Sequence, residues 1–237
     1  MLYSLTTFRW LLVFKEQLLK RSYPNILAFF GFLFNAAILQ TMKGILFIIS
    51  GPSGVGKGTV IRLLKAKYPQ FVFPISHTTR AMRPGEKDGE VYHFTSPSIF
   101  ECGIDNGDFL EWAEVHWANY YGTLKKPIID ALNEGKVVIR EVDVQGFHSI
   151  RKVIPAENLV TIFLKAESPE KLLERIAKRG KLPEEELLRR MESAKREMAD
   201  AHLFDYQVWS LEGQIPQLVL DVEKIILDHI QKAGLKV

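Results

Sequence analysis

A glycine-rich turn constrains this chain more than any other segment. Residues 51–59 read Gly-Pro-Ser-Gly-Val-Gly-Lys-Gly-Thr, directly after the apolar run 45–50 and directly before a helical pattern of apolar residues. The pattern G-x-x-x-x-G-K lets backbone N–H groups converge on a polyphosphate, the following helix adds its positive N-terminal end, and the lysine reaches the terminal phosphates. The sequence therefore predicts a nucleoside triphosphate site on a strand–turn–helix unit.

The predicted phosphate cradle consists of Gly51, Pro52, Ser53, Gly54, Val55, Gly56, Lys57, Gly58 and Thr59. In the usual form of this loop, a Ser or Thr hydroxyl follows the lysine directly and binds Mg²⁺. Here Gly58 takes that place and the hydroxyl comes one residue later. We therefore expect Thr59, or a bound water, to complete the shell of a Mg²⁺ ion that accompanies the triphosphate.

Composition narrows the class of protein. A chain of 237 residues, of which 47% are hydrophobic, can bury a full core. The net charge of +3 is too small to indicate nucleic-acid binding, so phosphate affinity must come from local arginines. The single cysteine, Cys102, cannot form an internal disulfide, which makes the cytosol the expected compartment.

The first 42 residues differ in composition from the rest and form a predicted N-terminal extension. Their longest apolar stretch, 26–39, is shorter than the roughly 18–20 residues that span a bilayer, and no clear cleavage pattern follows it. Two interpretations stay open. Translation begins at Met42, immediately before the first core strand, or the extension is a targeting or membrane-associating segment. We do not expect the protein to bind a membrane, although the N-terminal extension leaves membrane association open.

The rest of the chain, 43–237, has the pattern of an α/β domain. Apolar, β-branched runs at 45–50, 71–75, 137–142, 159–164 and 206–209 alternate with helical patterns. Such an alternation predicts a parallel sheet with helices on both faces. Two insertions interrupt it: a small substrate-binding subdomain at about 76–133, and a charged helical segment at about 168–202. A final amphipathic helix, from about 216 to 232, is expected to cover the core.

A second polar constellation follows the predicted strand at 71–75. Arg80 and Arg83 lie three residues apart, and two guanidinium groups that converge would neutralise a monophosphate dianion. Tyr92 and the Asn-Tyr-Tyr-Gly-Thr segment 119–123 offer hydroxyl donors. Each feature alone is ambiguous, but together with a triphosphate cradle they indicate a phosphorylated acceptor.

These residues closely resemble those of guanylate kinases, which are P-loop nucleoside monophosphate kinases. The segments that carry the resemblance, in the order of the family, are 76–85, 89–94, 109–114, 119–123, 141–146 and 173–180. The resemblance covers almost everything from residue 43 to about 230. It implies a P-loop core with a GMP-binding insertion and a helical lid, ATP as phosphoryl donor with Mg²⁺, and GMP as acceptor.

The resemblance also implies roles for individual residues. The catalytic residues would be Lys57 and the lid arginines Arg175, Arg179 and Arg190. The GMP phosphate would be held by Arg80, Arg83, Tyr92 and Tyr121. The guanine base would be read by Ser76, Glu111, Thr123 and Asp143. Glu141, where many relatives carry Asp, is placed with the substrate-binding residues near the metal. Segment 207–210 lacks the asparagine expected near the donor adenine, so no adenine contact is assigned there.

Chemistry supports Glu111 as the base selector. A carboxylate accepts hydrogen bonds from the N–H groups on the pairing edge of guanine, whereas adenine presents a lone pair there. Two alternatives remain for the function. One is a guanylate-kinase-like interaction module without activity, which the intact Lys57 and loop glycines disfavour. The other is a related kinase with a ribose bisphosphate acceptor, which Glu111 and segment 119–123 disfavour.

Overall fold

A parallel sheet and a smaller mixed sheet organise the part of the chain that the structure describes. This structure is a computed structural model, and it describes residues 42–115, 119–177 and 183–236. The predicted N-terminal extension lies outside the described residues, apart from Met42. The strands are β1 (Ile45–Ser50), β2 (Ser76–Thr78), β3 (Tyr92–Phe94), β4 (Phe109–Val115), β5 (Asn119–Leu124), β6 (Val137–Glu141), β7 (Leu159–Ala166) and β8 (Tyr206–Ser210). The helices are α1 (Lys57–Lys67), α2 (Pro97–Asp105), α3 (Lys125–Asn133), α4 (Val144–Ile150), α5 (Pro169–Ala177), α6 (Glu184–Ala199) and α7 (Ile215–Lys232).

The main sheet has the strand order β6-β1-β7-β8, and all its pairs are parallel. Every residue of β1 is buried, and its side chains alternate between two hydrophobic clusters. Phe47 packs in the cluster that α1 and α7 cover, whereas Ile48 packs in the cluster that α3 and α4 cover. This alternation is the physical result of the two-residue strand period, and it confirms the prediction of helices on both faces.

Four of the five predicted core strands form, but the strand predicted at 71–75 does not. Val72 makes only an isolated parallel bridge to Val138, with its N–H donating to the Val137 carbonyl at 2.9 Å. Pro74 follows two residues later, and a proline has no N–H to continue the ladder. The chain leaves the main sheet at this point and enters the second sheet at Ser76.

The second sheet has the order β3-β2-β5-β4 and carries five of the residues predicted to bind the acceptor, which are Ser76, Tyr92, Glu111, Tyr121 and Thr123. β2 pairs with β3 in parallel and with β5 antiparallel, and β4 pairs with β5 antiparallel. The stacked rings of Phe100 and Phe109, with centroids 4.2 Å apart, hold α2 on this sheet. Helix α3, which the expected insertion range includes, packs instead in the core of the main sheet through Ile128 and Leu132.

The charged segment that was expected to form a lid contains α5 and α6. Ser168 caps α5, because its hydroxyl accepts a hydrogen bond from the Lys171 N–H at 3.3 Å. Helix α7 also matches its prediction, since Leu218, Val222 and Ile226 are buried against the core. None of the helices within the described ranges combines the length and the hydropathy that a bilayer crossing requires.

Candidate active site

The glycine loop begins where β1 ends and closes onto the N-terminus of α1. Gly51, Gly54 and Gly56 have φ values of +141°, +85° and +109°, which side chains rarely allow. Gly56 caps α1, and no side chain caps this helix end. The first N–H groups of α1 therefore lie beside the loop at the positive end of the helix, as an anion site requires.

Substitution of Gly51 tests how tightly this loop is packed. An added Cβ would lie 2.5 Å from the Leu164 carbonyl oxygen, in addition to the unfavourable φ. We expect Gly51→Ala to lower the free energy of unfolding by about 2–4 kcal/mol, as measured by urea denaturation. Gly213→Ala is the matched control, because Gly213 also has a positive φ but has open space around it. Equal losses of unfolding free energy in the two variants would show that close packing at Gly51 contributes nothing to stability.

Lys57 points back into the loop. Its Nζ donates to the carbonyl oxygens of Gly51 and Pro52, at 2.5 and 3.2 Å, and lies 4.0 Å from Glu141 Oε1. Only 14% of its side chain is exposed. The ammonium group is thus held at the floor of the loop, where the phosphates of a bound triphosphate would offer it stronger acceptors.

A cavity of about 500 Å³ opens above Lys57. Its described lining residues are Ser53, Gly54, Gly56, Lys57, Gly58, Thr59, Arg62 and Glu141. A Cβ at Gly58 would lie 4.0 Å from Glu141 Oε2, so the glycine sits directly beneath this carboxylate. The structure thus brings the predicted metal ligand Thr59 and the carboxylate of Glu141 to the same cavity. Such a volume suits the polyphosphate and part of a nucleoside.

Two residues near this cavity were not predicted from the sequence. Arg62 lies on α1 four residues after Gly58, which is about one helical turn. The two residues therefore share a face of α1 and line the same cavity. Glu197 of α6 lies close enough to Lys57 and Asp143 to interact with both electrostatically. Burial raises the pKa of Glu197, although Lys57 and a hydrogen bond from Ser193 oppose the rise. The helical spacing of Arg62 was a usable signal, whereas the placement of Glu197 depends on tertiary packing.

A second group of side chains gathers around Arg80. Its guanidinium donates two hydrogen bonds of 3.0 Å to the carboxylate of Glu86, and its centre lies 5.5 Å from the centroids of the Tyr92 and Phe94 rings. The hydrogen bond to the Glu86 carboxylate is the largest of the effects that raise the pKa of Arg80. The same contact lowers the pKa of Glu86. Tyr121 stands edge-on to Tyr92 at 5.6 Å.

Three of the four predicted phosphate ligands therefore lie together. These are Arg80, Tyr92 and Tyr121, and burial raises the pKa of Tyr92, which keeps it a neutral hydrogen-bond donor. Arg83 is exposed, and its backbone N–H donates to Glu86 at 2.8 Å. An incoming phosphate would compete with Glu86 for the Arg80 guanidinium.

The predicted base-reading residues form a second, more buried group, which we call the base-reading pocket. Thr123 is 1% exposed, and its hydroxyl donates to Glu111 Oε1 at 2.5 Å. Glu111 Oε1 also lies 3.6 Å from Nη2 of Arg140, which donates a hydrogen bond to the Ser76 hydroxyl. Ser76, Glu111 and Thr123 are thus brought together, and Arg140 is a further member that the sequence did not reveal.

Asp143 lies at the edge of this pocket. Its Oδ1 accepts a hydrogen bond of 2.7 Å from the Gly146 N–H and so caps α4. A Cβ at Gly146 would lie 3.5 Å from the Glu111 side chain, which shows how closely this cap approaches the pocket. Asp143 therefore has a structural role in addition to the predicted contact with the base.

Two of the three predicted lid arginines, Arg175 and Arg190, are described by the structure, and neither lines the cavity. Arg175 donates to the hydroxyl and the carbonyl of Ser210, at 3.1 and 2.9 Å, and the Ser210 hydroxyl donates in turn to the Val55 carbonyl at 2.7 Å. Arg190 forms a helix-surface ion pair with Glu186 at 2.8 Å. Arg179 lies outside the described residues. Catalytic roles for these arginines remain predictions.

A parallel sheet whose first strand leads through a glycine loop into a helix, with a second sheet that carries the largely buried carboxylate of Glu111 and has Arg80 just after its strand β2, defines a P-loop kinase fold.

Comparison with known proteins gives the family. A sequence model described as guanylate kinase matches residues 43–233. The guanylate kinase of Carboxydothermus hydrogenoformans is 41% identical over 184 residues, which cover 78% of this chain and 88% of that protein. The guanylate kinase of Nocardia farcinica is 44% identical over 167 residues, or 70% of this chain and 86% of that protein. The crystal structure of guanylate kinase from Anaplasma phagocytophilum superposes with a TM-score of 0.60 and 26% identity, covering 79% of this chain and 87% of that one. The chain belongs to the guanylate kinase family.

Proposed function

We propose that the chain transfers the γ-phosphoryl group of ATP to GMP and produces ADP and GDP. Two neighbouring residues at the end of β6 carry this proposal. Glu141 lines the loop cavity with Lys57, whereas Arg140, the residue before it, contacts Ser76 and approaches Glu111. Since consecutive Cα atoms are about 3.8 Å apart, the triphosphate site and the base-reading pocket meet at this strand end.

Phosphoryl transfer requires that donor and acceptor are aligned and that the charge of the transition state is stabilised. A phosphate oxygen of GMP attacks the γ-phosphorus while the bond to the bridging oxygen of ADP breaks, so no general base is needed for an acceptor that is already ionised. Lys57 exchanges its loop carbonyls for phosphate oxygens of the donor. Arg80 and Arg83 hold the acceptor phosphate, and the lid arginines Arg175, Arg179 and Arg190 supply further positive charge on closure.

Mg²⁺ fits the oxygen atoms at the cavity. The described residues contain no group of three or more His, Cys, Asp or Glu placed to bind a metal ion. This agrees with the behaviour of Mg²⁺, which binds one or two protein oxygens and takes its other ligands from phosphates and water. We propose Thr59 and Glu141 as the protein groups nearest the ion. When bound, Mg²⁺ would neutralise charge on the donor phosphates.

A coupled assay of ADP formation tests the function. With ATP and Mg²⁺, turnover with GMP is expected to exceed that with AMP, UMP or ribose 1,5-bisphosphate by at least about 10²-fold, because a base without the matching N–H groups leaves Glu111 unpaired. Absence of turnover with every acceptor would indicate an interaction module, and preference for the bisphosphate would indicate the related kinase. A cytosolic setting remains our expectation, since a chain with one cysteine needs no oxidising compartment.

A further inference from the structure

Arg140 occupies an unusual place for an arginine. It follows three buried aliphatic residues of β6 and lies opposite Ile48 of β1 in the register of the sheet. Because strand side chains alternate, Arg140 faces away from the glycine loop that its neighbour Glu141 approaches. Its side chain is only 15% exposed, so the guanidinium is largely removed from water.

Hydrogen bonds hold this guanidinium against the base-reading pocket. Nη1 donates to the Pro74 carbonyl at 3.1 Å, and Nη2 donates to the hydroxyl of Ser76, which is 9% exposed. Nη2 also lies 3.6 Å from Oε1 of Glu111, whose side chain is 13% exposed. A buried cation needs such partners, because desolvation without them would cost several kcal/mol.

One donor of Arg140 remains free. Nε is buried, and it has no hydrogen-bond partner within the described residues. Because Nε itself is enclosed, Arg140 reaches the pocket through Nη2 and its bond to Ser76. The bond from Nη2 makes Ser76 the donor side of the pocket, while the Glu111 carboxylate is its acceptor side.

We propose that Arg140 is a specificity-determining positioning residue, which selects an acceptor base with an oxygen at C6. This inference rests on the proposed function. By donating to the Ser76 oxygen, Arg140 leaves the Ser76 hydroxyl proton free to point at the base. Guanine presents an acceptor, O6, beside its donor N–H groups, whereas adenine presents an amino donor at C6. The donor side made by Arg140 and Ser76 and the acceptor side made by Glu111 therefore match guanine at both positions.

The test compares GMP with 6-thio-GMP, which keeps the N–H groups of guanine but replaces O6 by sulfur, a weak acceptor. Arg140→Leu is expected to lower kcat/KM for GMP by about 10–100-fold, mainly through KM, because a charge-assisted hydrogen-bond network is lost. The loss with 6-thio-GMP should be about threefold or less, since that base depends little on a donor at C6. The preference for GMP over 6-thio-GMP should therefore fall by about tenfold.

Several variants separate this role from a structural one. Arg140→Lys keeps the charge and should restore part of the preference. Ser76→Ala should lower the preference by itself, and the double variant Ser76→Ala with Arg140→Leu should lose little more, because both residues act at the same atom. Arg151→Leu, at an exposed position directly after α4, is the control for loss of an arginine and should keep the wild-type preference.

Equal losses with GMP and 6-thio-GMP in Arg140→Leu would overturn the inference. If that variant fails to fold, the same ratio measured in Arg140→Lys and Ser76→Ala decides the matter, and an unchanged ratio in both rejects it. If the wild-type chain does not phosphorylate GMP, the proposed function fails separately. The ratio of dissociation constants for GMP and 6-thio-GMP, measured by calorimetry, then tests Arg140 without any turnover.

Discussion

Lys57→Met is expected to lower kcat by about 10²–10³-fold while leaving the fold intact. The Lys57 ammonium is the cation that the loop itself supplies at the cavity floor, within 4.0 Å of Glu141 and bound to two loop carbonyls. Methionine has a similar length but no charge, so the phosphoryl group would lose this stabilisation in the transition state. Steady-state kinetics with saturating ATP and GMP measures the effect.

Lys65→Met is the matched control for this prediction. Lys65 is an exposed lysine in the last turn of the same helix, at the far end from the loop. Its replacement should leave kcat within about twofold, as expected for a surface substitution away from the site. Near-normal turnover in Lys57→Met would contradict the assignment of this lysine. So would a loss of equal size in the two variants.

Glu111→Gln is expected to raise KM for GMP and to lower kcat/KM by about 10²-fold, which corresponds to ~3 kcal/mol. An amide side chain offers one carbonyl acceptor where the carboxylate offers two, and its NH₂ group would face the N–H groups of guanine. The change also removes the carboxylate that lies 3.6 Å from Arg140. KM for ATP should change little, because Glu111 does not line the loop cavity.

Glu114→Gln provides the control on the same strand. Glu114 is exposed and lies on the opposite face of β4 from Glu111. It should keep the wild-type kcat/KM for GMP. The assignment of Glu111 as base selector would fail if Glu111→Gln retained full preference for GMP over AMP in the coupled assay.

Much of the core could be predicted because its strands are apolar along their whole length. The run 45–50, ending at a glycine loop, is buried at every position, and the helix after the loop begins at Lys57. The exception was 71–75, where β-branched and aromatic residues favour a strand but Pro74 cannot continue the ladder. Local preference was overridden there by one missing backbone donor.

The site was predictable where motifs are local, and less so where chain segments converge. The resemblance predicted three residues that do lie together, Ser76, Glu111 and Thr123. In the sequence, however, Arg140 looks like an ordinary charged residue at the end of a strand. Its role depends on partners 64 residues away at Ser76 and 66 at Pro74. No periodicity in the sequence reports such a contact.

The lid arginines show a second limit of sequence reasoning. The resemblance of segment 173–180 predicts that Arg175 and Arg179 act on the donor. A motif does not specify which hydrogen bonds such a long side chain makes in the folded protein. Arg175 is bound to Ser210, which in turn is bound to the glycine loop through Val55. Helix α5 also contacts the loop through Ile176, since a Cβ at Gly54 would lie 2.8 Å from Cγ1 of Ile176. The glycine loop and helix α5 are therefore packed together.

In the proposed function, donor and acceptor nucleotides meet end to end at the carboxyl edge of β6. Calorimetry with adenosine and guanosine joined through five phosphates tests it most directly, since one such molecule should fill both sites. The account predicts 1:1 binding at least about 10²-fold tighter than that of ATP or GMP alone, because the second site is occupied without a second association cost. It also predicts that Lys57→Met and Glu111→Gln each weaken this binding. An affinity no higher than that of ATP, unchanged by Glu111→Gln, would contradict the account.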